Sequence, residues 1–269
     1  MLTVMVESSD LRRRADNLYQ LGRLDEARAA AGEALAGDPD DALAIRLLAQ
    51  IEMAAGNETE AIAHAEVAVG LRPDGVTWLV LASMQRRTGD FAAAIGSAER
   101  GLEVAPDLAA LHVTRSLAWS GPWIDDRSAS TRRDAAVAQA REAAERAREL
   151  DPQDRFAWFA LASAHLADGD PFAAATAMEE GLRLSPDWFD GHVLMSAIRS
   201  RQGMVKLASR HLATAGRLDP RRDEPIRRLR LLRGPRPRWW RRGRTAWWLD
   251  SEARDVLARD DELGGERNG

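Results

Sequence analysis

The chain contains no cysteine, and its 269 residues include a single lysine, Lys206. Without cysteine the protein has neither disulfides nor thiolate chemistry, so the expected compartment is the reducing cytoplasm. No apolar run approaches the roughly 20 residues that a transmembrane helix needs, and the N-terminal sequence lacks the apolar core of a signal peptide. The sequence therefore predicts neither a membrane span nor a secretory leader.

Motifs for catalysis and metal binding are also missing. The sequence has no glycine-rich phosphate loop and no GxSxG or HExxH motif. None of its five histidines is followed four residues later by a carboxylate or a second histidine, the spacing that would place two ligands on one helical face. We therefore expect no enzyme activity, no metal ion and no cofactor.

The net charge of −4 conceals a strong segregation of charge along the chain. Residues 1–220 carry 24 basic and 33 acidic side chains, whereas residues 221–248 carry 11 arginines and two acids. The last 21 residues carry three arginines and seven acids. Because the long first part is acidic and would repel a phosphate backbone, the charge pattern argues against nucleic acid as the partner.

One stretch, residues 155–187, has the pattern of a helical hairpin. Apolar residues with helical spacing run to Gly169, where the pattern breaks, and a second apolar stripe runs from Ala174 towards Pro186. The pattern recurs along most of the chain, and its copies end at Pro39, Pro73, Pro106, Pro152, Pro186 and Pro220. These prolines are spaced by 34, 33, 46, 34 and 34 residues, which indicates six repeats.

Small residues recur in register with the prolines, where only a small side chain lets two helices approach closely. The middle of each first helix has Ala15, Ala49, Ala82, Ser116, Ala162 or Ser196. The second helices have Ala27, Ala61, Ala94, Ala140, Ala174 and Ala208, followed by Ala34, Ala68, Gly101, Ala147, Gly181 and Ala215, where the next repeat's first helix is expected to pack. Glycines predict left-handed ends of the first helices at Gly22, Gly56, Gly89, Gly169 and Gly203. Asp170 before Pro171, and Asn57 with Glu60, predict caps of two second helices.

This period, with these residue types in this register, resembles the tetratricopeptide repeat over residues 8–222. The resemblance implies an all-α fold, a right-handed α-solenoid of antiparallel helical hairpins. The expected repeats are residues 8–41, 42–74, 75–108, 109–154, 155–188 and 189–222. A capping helix at 223–233 and an Arg/Trp-rich segment with an acidic tail at 234–269 are expected to follow.

The fourth repeat contains an insertion of about 12 residues, at residues 120–131, between its two helices. Gly121 and Pro122 predict a turn there. Trp123 and Ile124 are apolar and have no place in the repeat pattern. The sequence allows two interpretations. The insertion is either a contact loop that projects from the hairpin tip, or a segment whose tryptophan folds back on its own hairpin.

Solenoids of this family bind extended peptides or partner helices in a concave groove lined by the first helices, and the resemblance assigns the groove residues. A polar and basic half is expected at Arg12, Asp16, Tyr19, Arg46, Gln50, Ser83, Arg86 and Arg87. An apolar half is expected at Val113, Leu117, Phe156, Phe159, Ser163, Leu166, Val193 and Ala197. Single positions are as consistent with solvent exposure or packing between repeats, but Phe156 and Phe159 together favour a partner site that includes Leu166.

One function known in the family is not carried over. A chaperone-binding member would clamp a C-terminal carboxylate with lysine and asparagine. Arg12 and Arg46 stand at the lysine positions, but Asp16 and Gln50 replace the asparagines.

The segment from residue 233 to residue 249 contains six arginines, four tryptophans and no acid. One interpretation is docking on an anionic membrane surface through Trp239, Trp240, Arg241, Arg242, Trp247 and Trp248. The other is that the tryptophans plug the apolar half of the groove, because four exposed tryptophans would favour aggregation.

The leading hypothesis for function is a non-catalytic cytoplasmic scaffold that binds a partner protein or peptide in its groove. The alternative is a peripheral protein at the inner face of the membrane, docked through the Arg/Trp-rich segment. The sequence identifies neither the partner nor the oligomeric state.

Overall fold

The computed structural model describes residues 2–123 and 131–222 of the chain. Within these residues the protein consists of twelve α-helices and one short 3₁₀ helix, without a strand. Consecutive helices pack as pairs, so the fold is an all-α solenoid of helical hairpins, as the sequence predicted. No helix in the described residues combines the length and the apolarity that crossing a membrane requires.

The chain divides into two compact units. The first unit comprises residues 1–122 and 138–151, and the second comprises residues 123–137 and 152–269. The first contains α1 (Leu2–Gln20), α2 (Leu24–Gly37), α3 (Ala42–Ala55), α4 (Glu58–Leu71), α5 (Gly75–Arg87), α6 (Phe91–Val104), α7 (Ala109–Ser120) and the C-terminal part of α8 (Thr131–Leu150). The second contains the N-terminal part of α8 and α9 (Arg155–Asp168), α10 (Pro171–Leu184), α11 (Phe189–Arg201) and α12 (Val205–Leu218).

In the first unit, each part of the core combines one hairpin with the first helix of the next hairpin. Ala15 of α1 and Ala27 of α2 share a cluster with Ile51 of α3, and Ala82 of α5 and Ala98 of α6 share one with Leu111 of α7. No hairpin there completes its core alone, which is the packing rule of a solenoid.

The small-residue register is confirmed, because every member of the three sets is buried. Gly101 shows why: a Cβ at this position would lie 2.8 Å from Leu111 of the next first helix and 2.9 Å from Cβ of Trp78. A Cβ at Gly181 would lie 2.8 Å from Met178 and 3.4 Å from Cβ of Trp158, both in its own hairpin.

The helix ends follow the prediction with one exception. All five glycines predicted to end first helices have positive φ, between 72° and 88°. Asp170 caps α10 by accepting hydrogen bonds from the backbone N–H groups of Phe172 and Ala173, at 3.0 and 2.9 Å. The cap predicted at Asn57 was wrong: its side chain makes no cap hydrogen bond.

The amide of Asn57 instead donates to Glu52 at 2.6 Å. Glu52 is buried, and Arg28 of α2 binds both of its carboxylate oxygens, at 2.6 and 3.0 Å. These hydrogen bonds, above all those from Arg28, lower the pKa of Glu52 below its ordinary value of 4.5. A buried carboxylate needs donors, and this need outweighs the cap at Asn57.

The insertion begins with a 3₁₀ helix at Gly121–Trp123, directly after α7, and α8 begins at Thr131. Glycine is required at 121 for space, because a Cβ there would lie 2.6 Å from the ring of Phe91. Trp123 is half-buried. Ile124 and the capping helix predicted at 223–233 lie outside the described residues.

Candidate partner-binding grooves

The first helices α1, α3 and α5 lie side by side in the first unit, since α1 contacts α3 and α3 contacts α5. Two clefts of 370 and 250 Å³ open on them. Gln50 of α3 lines both clefts, so they adjoin at its side chain. We call the larger the cationic cleft, the smaller the apolar cleft, and the two together the α1–α3–α5 groove.

The cationic cleft lies between α1 and α3. It is lined by Ser9, Arg12, Arg13, Asp16, Leu43, Arg46, Leu47 and Gln50. Three of these eight side chains are guanidinium groups and one is a carboxylate. Arg12 and Arg13 form ion pairs with Asp41 and Asp10, so the charges of the cleft without an ion pair among the described residues are those of Arg46 and Asp16.

Two of these arginines occupy the same place in successive first helices but differ in their partners. Arg12 forms an ion pair with Asp41, which also caps α3 by accepting from the backbone N–H of Leu43 at 3.0 Å. In the next repeat Arg46 corresponds to Arg12 and Asp74, the N-cap of α5, corresponds to Asp41. Within the described residues, however, Arg46 makes no ion pair.

Asp74 is already engaged by its own neighbours. It accepts from Nε of Arg72 at 2.6 Å, and from the backbone N–H and the hydroxyl of Thr77, both at 2.8 Å. These three donors occupy the carboxylate that corresponds to the partner of Arg12. Arg46 is therefore left half-buried, with its charge directed to the cleft and not to a carboxylate among the described residues.

The apolar cleft extends from α3 to α5. It is lined by Tyr19, Gln50, Met53, Leu79, Val80, Ser83, Met84 and Arg87. Arg87 is exposed and has no ion pair within the described part of the chain. Burial, and then the charge of Arg87, lower the pKa of the adjacent Arg86, and the buried Nε of Arg86 has no hydrogen-bond partner there.

Most residues predicted for the basic half of the groove therefore come together. The two clefts contain Arg12, Asp16, Tyr19, Arg46, Gln50, Ser83 and Arg87, whereas Arg86 lines neither. The prediction did not include Leu79 and Met53, although their positions in the repeat indicate that they face the groove. Leu79 has the repeat position of Arg12 and Arg46, and Met53 that of Tyr19.

The second unit has an aromatic cluster on its first helix α9. Phe156 and Phe159 both contact Trp188, with ring centroids 5.1 and 5.2 Å away, the first in an edge-on arrangement. The guanidinium of Arg155 lies 4.9 Å from the ring centroid of Trp188 and donates to the hydroxyl of Ser185 at 2.8 Å. Trp188 is 6% exposed and Phe156 is 43% exposed. The cluster thus has a buried anchor and one accessible edge.

Three residues predicted to face the apolar half of the groove do not face solvent. Val113, Ser163 and Leu166 are all buried. Each lies on a first helix that packs against neighbouring helices: α7 contacts α5 and α6, and α9 contacts α10 and α11. Because of these contacts, fewer positions of each first helix are exposed to solvent than the prediction assumed. Leu117, Val193 and Ala197 are half-buried.

Two histidines hold a repeat-closing hydrogen bond that the sequence did not predict. The bond is first seen at the equivalent position of the fifth repeat, where Nε1–H of Trp158 donates to the carbonyl of Pro152 at 2.9 Å. His112 and His192 occupy the same repeat position, and Nε2 of each bonds the corresponding proline carbonyl, at 2.8 and 2.9 Å. Because a carbonyl only accepts, Nε2 is the protonated nitrogen in both rings. Burial lowers the pKa of His112.

His192 also contacts a second histidine. Its Nδ1 lies 3.0 Å from Nδ1 of His211 on α12. With Nε2–H of His192 committed to Pro186, its Nδ1 accepts and His211 donates. Burial, followed by the charge of His192, lowers the pKa of His211 to about 4. No group of three or more potential metal ligands occurs among the described residues.

The predicted docking residues Trp239, Trp240, Arg241, Arg242, Trp247 and Trp248 lie outside the described residues.

Comparison with known proteins identifies the repeat family. Residues 12–76 and 127–187 match the tetratricopeptide repeat model, and no curated protein sequence matches the chain.

Solved structures share the fold at low sequence identity. The human IFIT1 dimer with PPP-AAAA has a TM-score of 0.70 and 21% identity, and the match covers 96% of this chain and 61% of that chain. PilW, a widely conserved type IV pilus biogenesis factor, has a TM-score of 0.65 and 16% identity, over 82% of this chain and 98% of that chain. Pseudomonas aeruginosa PilF has a TM-score of 0.61 and 13% identity, over 84% and 97%.

At these identities the likeness establishes the fold alone. The repeat match adds the family, and it agrees with the buried small-residue register and the paired helices described above. The chain belongs to the tetratricopeptide repeat superfamily.

Proposed function

We propose that this protein is a non-catalytic interaction scaffold that binds a peptide or helix of a partner protein in the α1–α3–α5 groove. The observation that carries the proposal is the pair of adjoining clefts on these three first helices. Proteins of this family typically act as non-catalytic scaffolds and bind other proteins or peptides. The lining of the two clefts supplies a surface for that activity.

The state of the lining side chains supports a binding role. Arg46 and Arg87 have no ion pairs within the described residues, so their charges are available to a ligand. Gln50 and Ser83 add neutral donors and acceptors that suit a peptide backbone. Leu43, Leu79 and Val80 are apolar and half-buried, so they offer further area for burial.

The lining residues do not suggest catalysis. Ser9, Ser83, Tyr19 and Asp16 line the clefts, but no histidine, lysine or cysteine does, so no imidazole or amine lies there to activate a serine hydroxyl. Arginine stays protonated and serves to bind anions, not to transfer protons.

Site-specific photocrosslinking tests the proposal in the full chain. Benzoylphenylalanine in place of Tyr19 keeps an aromatic ring at the groove, and the same group at the exposed Ala63 of α4 is the control. We expect partner crosslinks in cells from position 19 and none from position 63. Equal crosslinking from both positions, or none from position 19, would contradict the proposal.

The aromatic cluster is a second candidate contact surface. The 43% exposure of Phe156 beside a buried tryptophan supports it, since an anchored aromatic edge costs little entropy to present. We expect Phe156→Ala to weaken a partner bound there by about 2 kcal/mol, as truncation of a hot spot does. Unchanged partner affinity for Phe156→Ala would remove this surface from consideration.

Membrane docking through residues 233–249 remains the alternative, and charge segregation in the sequence supports it. Six arginines supply at most about 6 kcal/mol near an anionic surface, before screening and ordering costs. Tryptophan emission of the full chain discriminates the two interpretations. A blue shift on adding phosphatidylserine vesicles would favour docking, whereas emission that is already blue and unaffected by vesicles would favour an intramolecular plug.

A further inference from the structure

The α11–α12 hairpin of the second unit brings two histidines into contact. Nδ1 of His192 on α11 lies 3.0 Å from Nδ1 of His211 on α12, and the ring centroids are 5.2 Å apart. Both side chains are half-buried, so small solutes can reach them. The corresponding positions of the fourth repeat hold His112 and Ala143. Among the hairpins that the structure describes, this one alone has a histidine at both positions.

A backbone carbonyl fixes the orientation of the first of these rings. Nε2–H of His192 donates to the carbonyl of Pro186 at 2.9 Å, so the lone pair of its Nδ1 faces His211. Histidines that bind metal ions almost always donate their other ring N–H to a carboxylate, a carbonyl or water, and this bond fixes the tautomer and the ring orientation. His192 therefore already has the supporting hydrogen bond of a metal ligand.

The separation of the two nitrogens suits neighbouring positions around one ion. Two nitrogens about 2.0 to 2.1 Å from an ion are about 2.9 Å apart at a right angle and about 3.4 Å apart at the tetrahedral angle. The observed 3.0 Å is close to the first value. The ion would lie beside the line that joins the nitrogens, and rotation of the rings would turn both lone pairs towards it. Right-angled geometry with nitrogen and oxygen ligands is typical of Cu²⁺ and Ni²⁺.

The charges around the pair do not oppose a cation. Glu179 of α10 and Arg199 of α11 both lie close enough to affect the pKa of His211, and they form an ion pair with each other. The carboxylate thus offsets the repulsion from the guanidinium. Burial, followed by the charge of His192, lowers the pKa of His211 to about 4, so this ring is neutral at pH 7. Neutral imidazole is the form that binds metal ions.

We propose that His192 and His211 chelate a divalent transition-metal ion through their two Nδ1 atoms, and that Cu²⁺ binds most tightly. In the metal-free hairpin one proton lies between these nitrogens, on Nδ1 of His211. On binding, this proton moves to Nε2 of the same ring, which makes no hydrogen bond among the described residues, and both Nδ1 lone pairs bind the ion. Water completes the coordination, since the described residues supply no third protein ligand. The preference for Cu²⁺ follows the general affinity order of divalent ions.

This site is independent of the proposed function, because the α1–α3–α5 groove lies in the first unit. An ion held by one residue of each helix would tie α11 to α12. The sequence predicted no metal ion, since the spacing considered there places two ligands on a single helix. His192 and His211 are 19 residues apart and belong to different helices.

Isothermal titration calorimetry of the full chain with Cu²⁺, after treatment with a chelator and without an affinity tag, tests the proposal. We expect one ion per chain, bound more tightly than Ni²⁺ or Zn²⁺. His211→Gln should lower the affinity at least about tenfold, although glutamine can still donate to Nδ1 of His192. His192→Gln should cause a loss of similar size. Melting temperatures of the metal-free variants verify that both fold.

His112→Gln is the matched control. His112 has the repeat position of His192 and the same bond to a proline carbonyl, at 2.8 Å, but Ala143 stands where the second ligand would be. This substitution should leave the affinity for Cu²⁺ within about twofold. Electron paramagnetic resonance of the Cu²⁺-loaded protein adds a signature of the ligands. We expect coupling to two nitrogens in the original chain and to one in His211→Gln.

Three outcomes would overturn the proposal. The first is an original chain that binds no Cu²⁺, or whose bound Cu²⁺ couples to one nitrogen only. The second is affinity for Cu²⁺ that is unchanged in His211→Gln and His192→Gln. The third is a loss in His112→Gln as large as that in His211→Gln, which would show that histidines bind the ion without forming this site.

Discussion

The same contact between neighbouring repeats is built from charge in one unit and from aromatic rings in the other. Arg12 of the first unit pairs with Asp41, the N-cap of the next first helix. Phe159 has the repeat position of Arg12, and it packs on Trp188, the N-cap of α11. Phe159 and Trp188 satisfy each other by packing. An arginine at the same repeat position is left without an ion pair when its carboxylate is bound elsewhere, as happens to Arg46 among the described residues. The difference teaches that the identity of two positions decides whether neighbouring repeats are joined by an ion pair or by aromatic packing.

The largest effect should be common to both units, because their packing register is the same. Ala61→Leu in the first and Ala174→Leu in the second each add three carbons at a fully buried position. We expect each to lower the free energy of unfolding by about 1 to 3 kcal/mol through overpacking. Circular dichroism melts measure this. A melt unchanged by either substitution would show that the small-residue register is not a packing constraint in that unit.

The comparison breaks if the aromatic pair contributes no more to stability than the ionic one. Phe159 is half-buried against Trp188, so Phe159→Ala should cost about 2 kcal/mol, below the range for a fully buried ring. Arg12→Ala should cost about 1 kcal/mol or less, since the side chain of Arg12 is 31% exposed. Chemical denaturation of both variants gives the two values, and equal losses would contradict the contrast drawn here.

Mild acid should destabilise both units. The fold holds the pKa of His211 in the second unit at about 4, so the unfolded chain takes up the proton first as pH falls from about 6.5. The contribution of His211 to stability is therefore complete above pH 6.5 and is lost progressively down to about pH 4. After discounting for partial exposure, we expect a loss of about 1 to 2 kcal/mol. In the first unit burial lowers the pKa of His112, so its contribution is also lost as pH falls below about 6.5, whereas that of Glu52 is lost only below about pH 4.5.

His211→Gln checks the first of these windows. Glutamine can still donate to Nδ1 of His192 but does not titrate. Thermal melts of this variant should be flatter between pH 6.5 and pH 4 than those of the original chain. An identical pH dependence in the variant would assign the acid sensitivity to another group.

A residue outside the groove should slightly change the affinity of the groove for a ligand that binds Arg46. Arg72 holds Asp74, the carboxylate that corresponds in register to the partner of Arg12. In Arg72→Ala the carboxylate becomes available to Arg46, and an acidic ligand should then bind about threefold more weakly. Fluorescence polarisation of a peptide of the partner protein, identified by crosslinking, measures the change. Unaltered or tighter binding would show that Asp74 does not compete for Arg46.

The sequence predicted the fold well because the fold depends on local rules. Small residues in register and glycines at helix ends are properties of single positions, and all of these positions are buried or left-handed as expected. Three kinds of feature escaped prediction. Val113, Ser163 and Leu166 were expected at the surface, but whether a first-helix residue is buried depends on how closely the neighbouring helices approach.

The partners of polar groups were the second kind. Asn57 has the sequence of a cap but serves Glu52, because a buried carboxylate competes more strongly for its amide than the helix end does. The third kind was side-chain contacts between different helices, such as those of Trp188 with Phe159 and of His192 with His211. These pairs are 29 and 19 residues apart, and periodicity within a single helix contains no signal for them.

The chain has one tyrosine, and it lines the apolar cleft, so a single label reports on the groove directly. Full-length protein grown with 3-fluorotyrosine gives one fluorine resonance, from Tyr19, and that resonance can be followed while a peptide of the partner protein, identified by crosslinking, is titrated. We predict that the resonance shifts to saturation with the affinity measured by polarisation, and that Arg46→Glu abolishes the shift. A peptide that binds fully while the Tyr19 resonance stays unchanged would contradict the assignment of the ligand to the α1–α3–α5 groove.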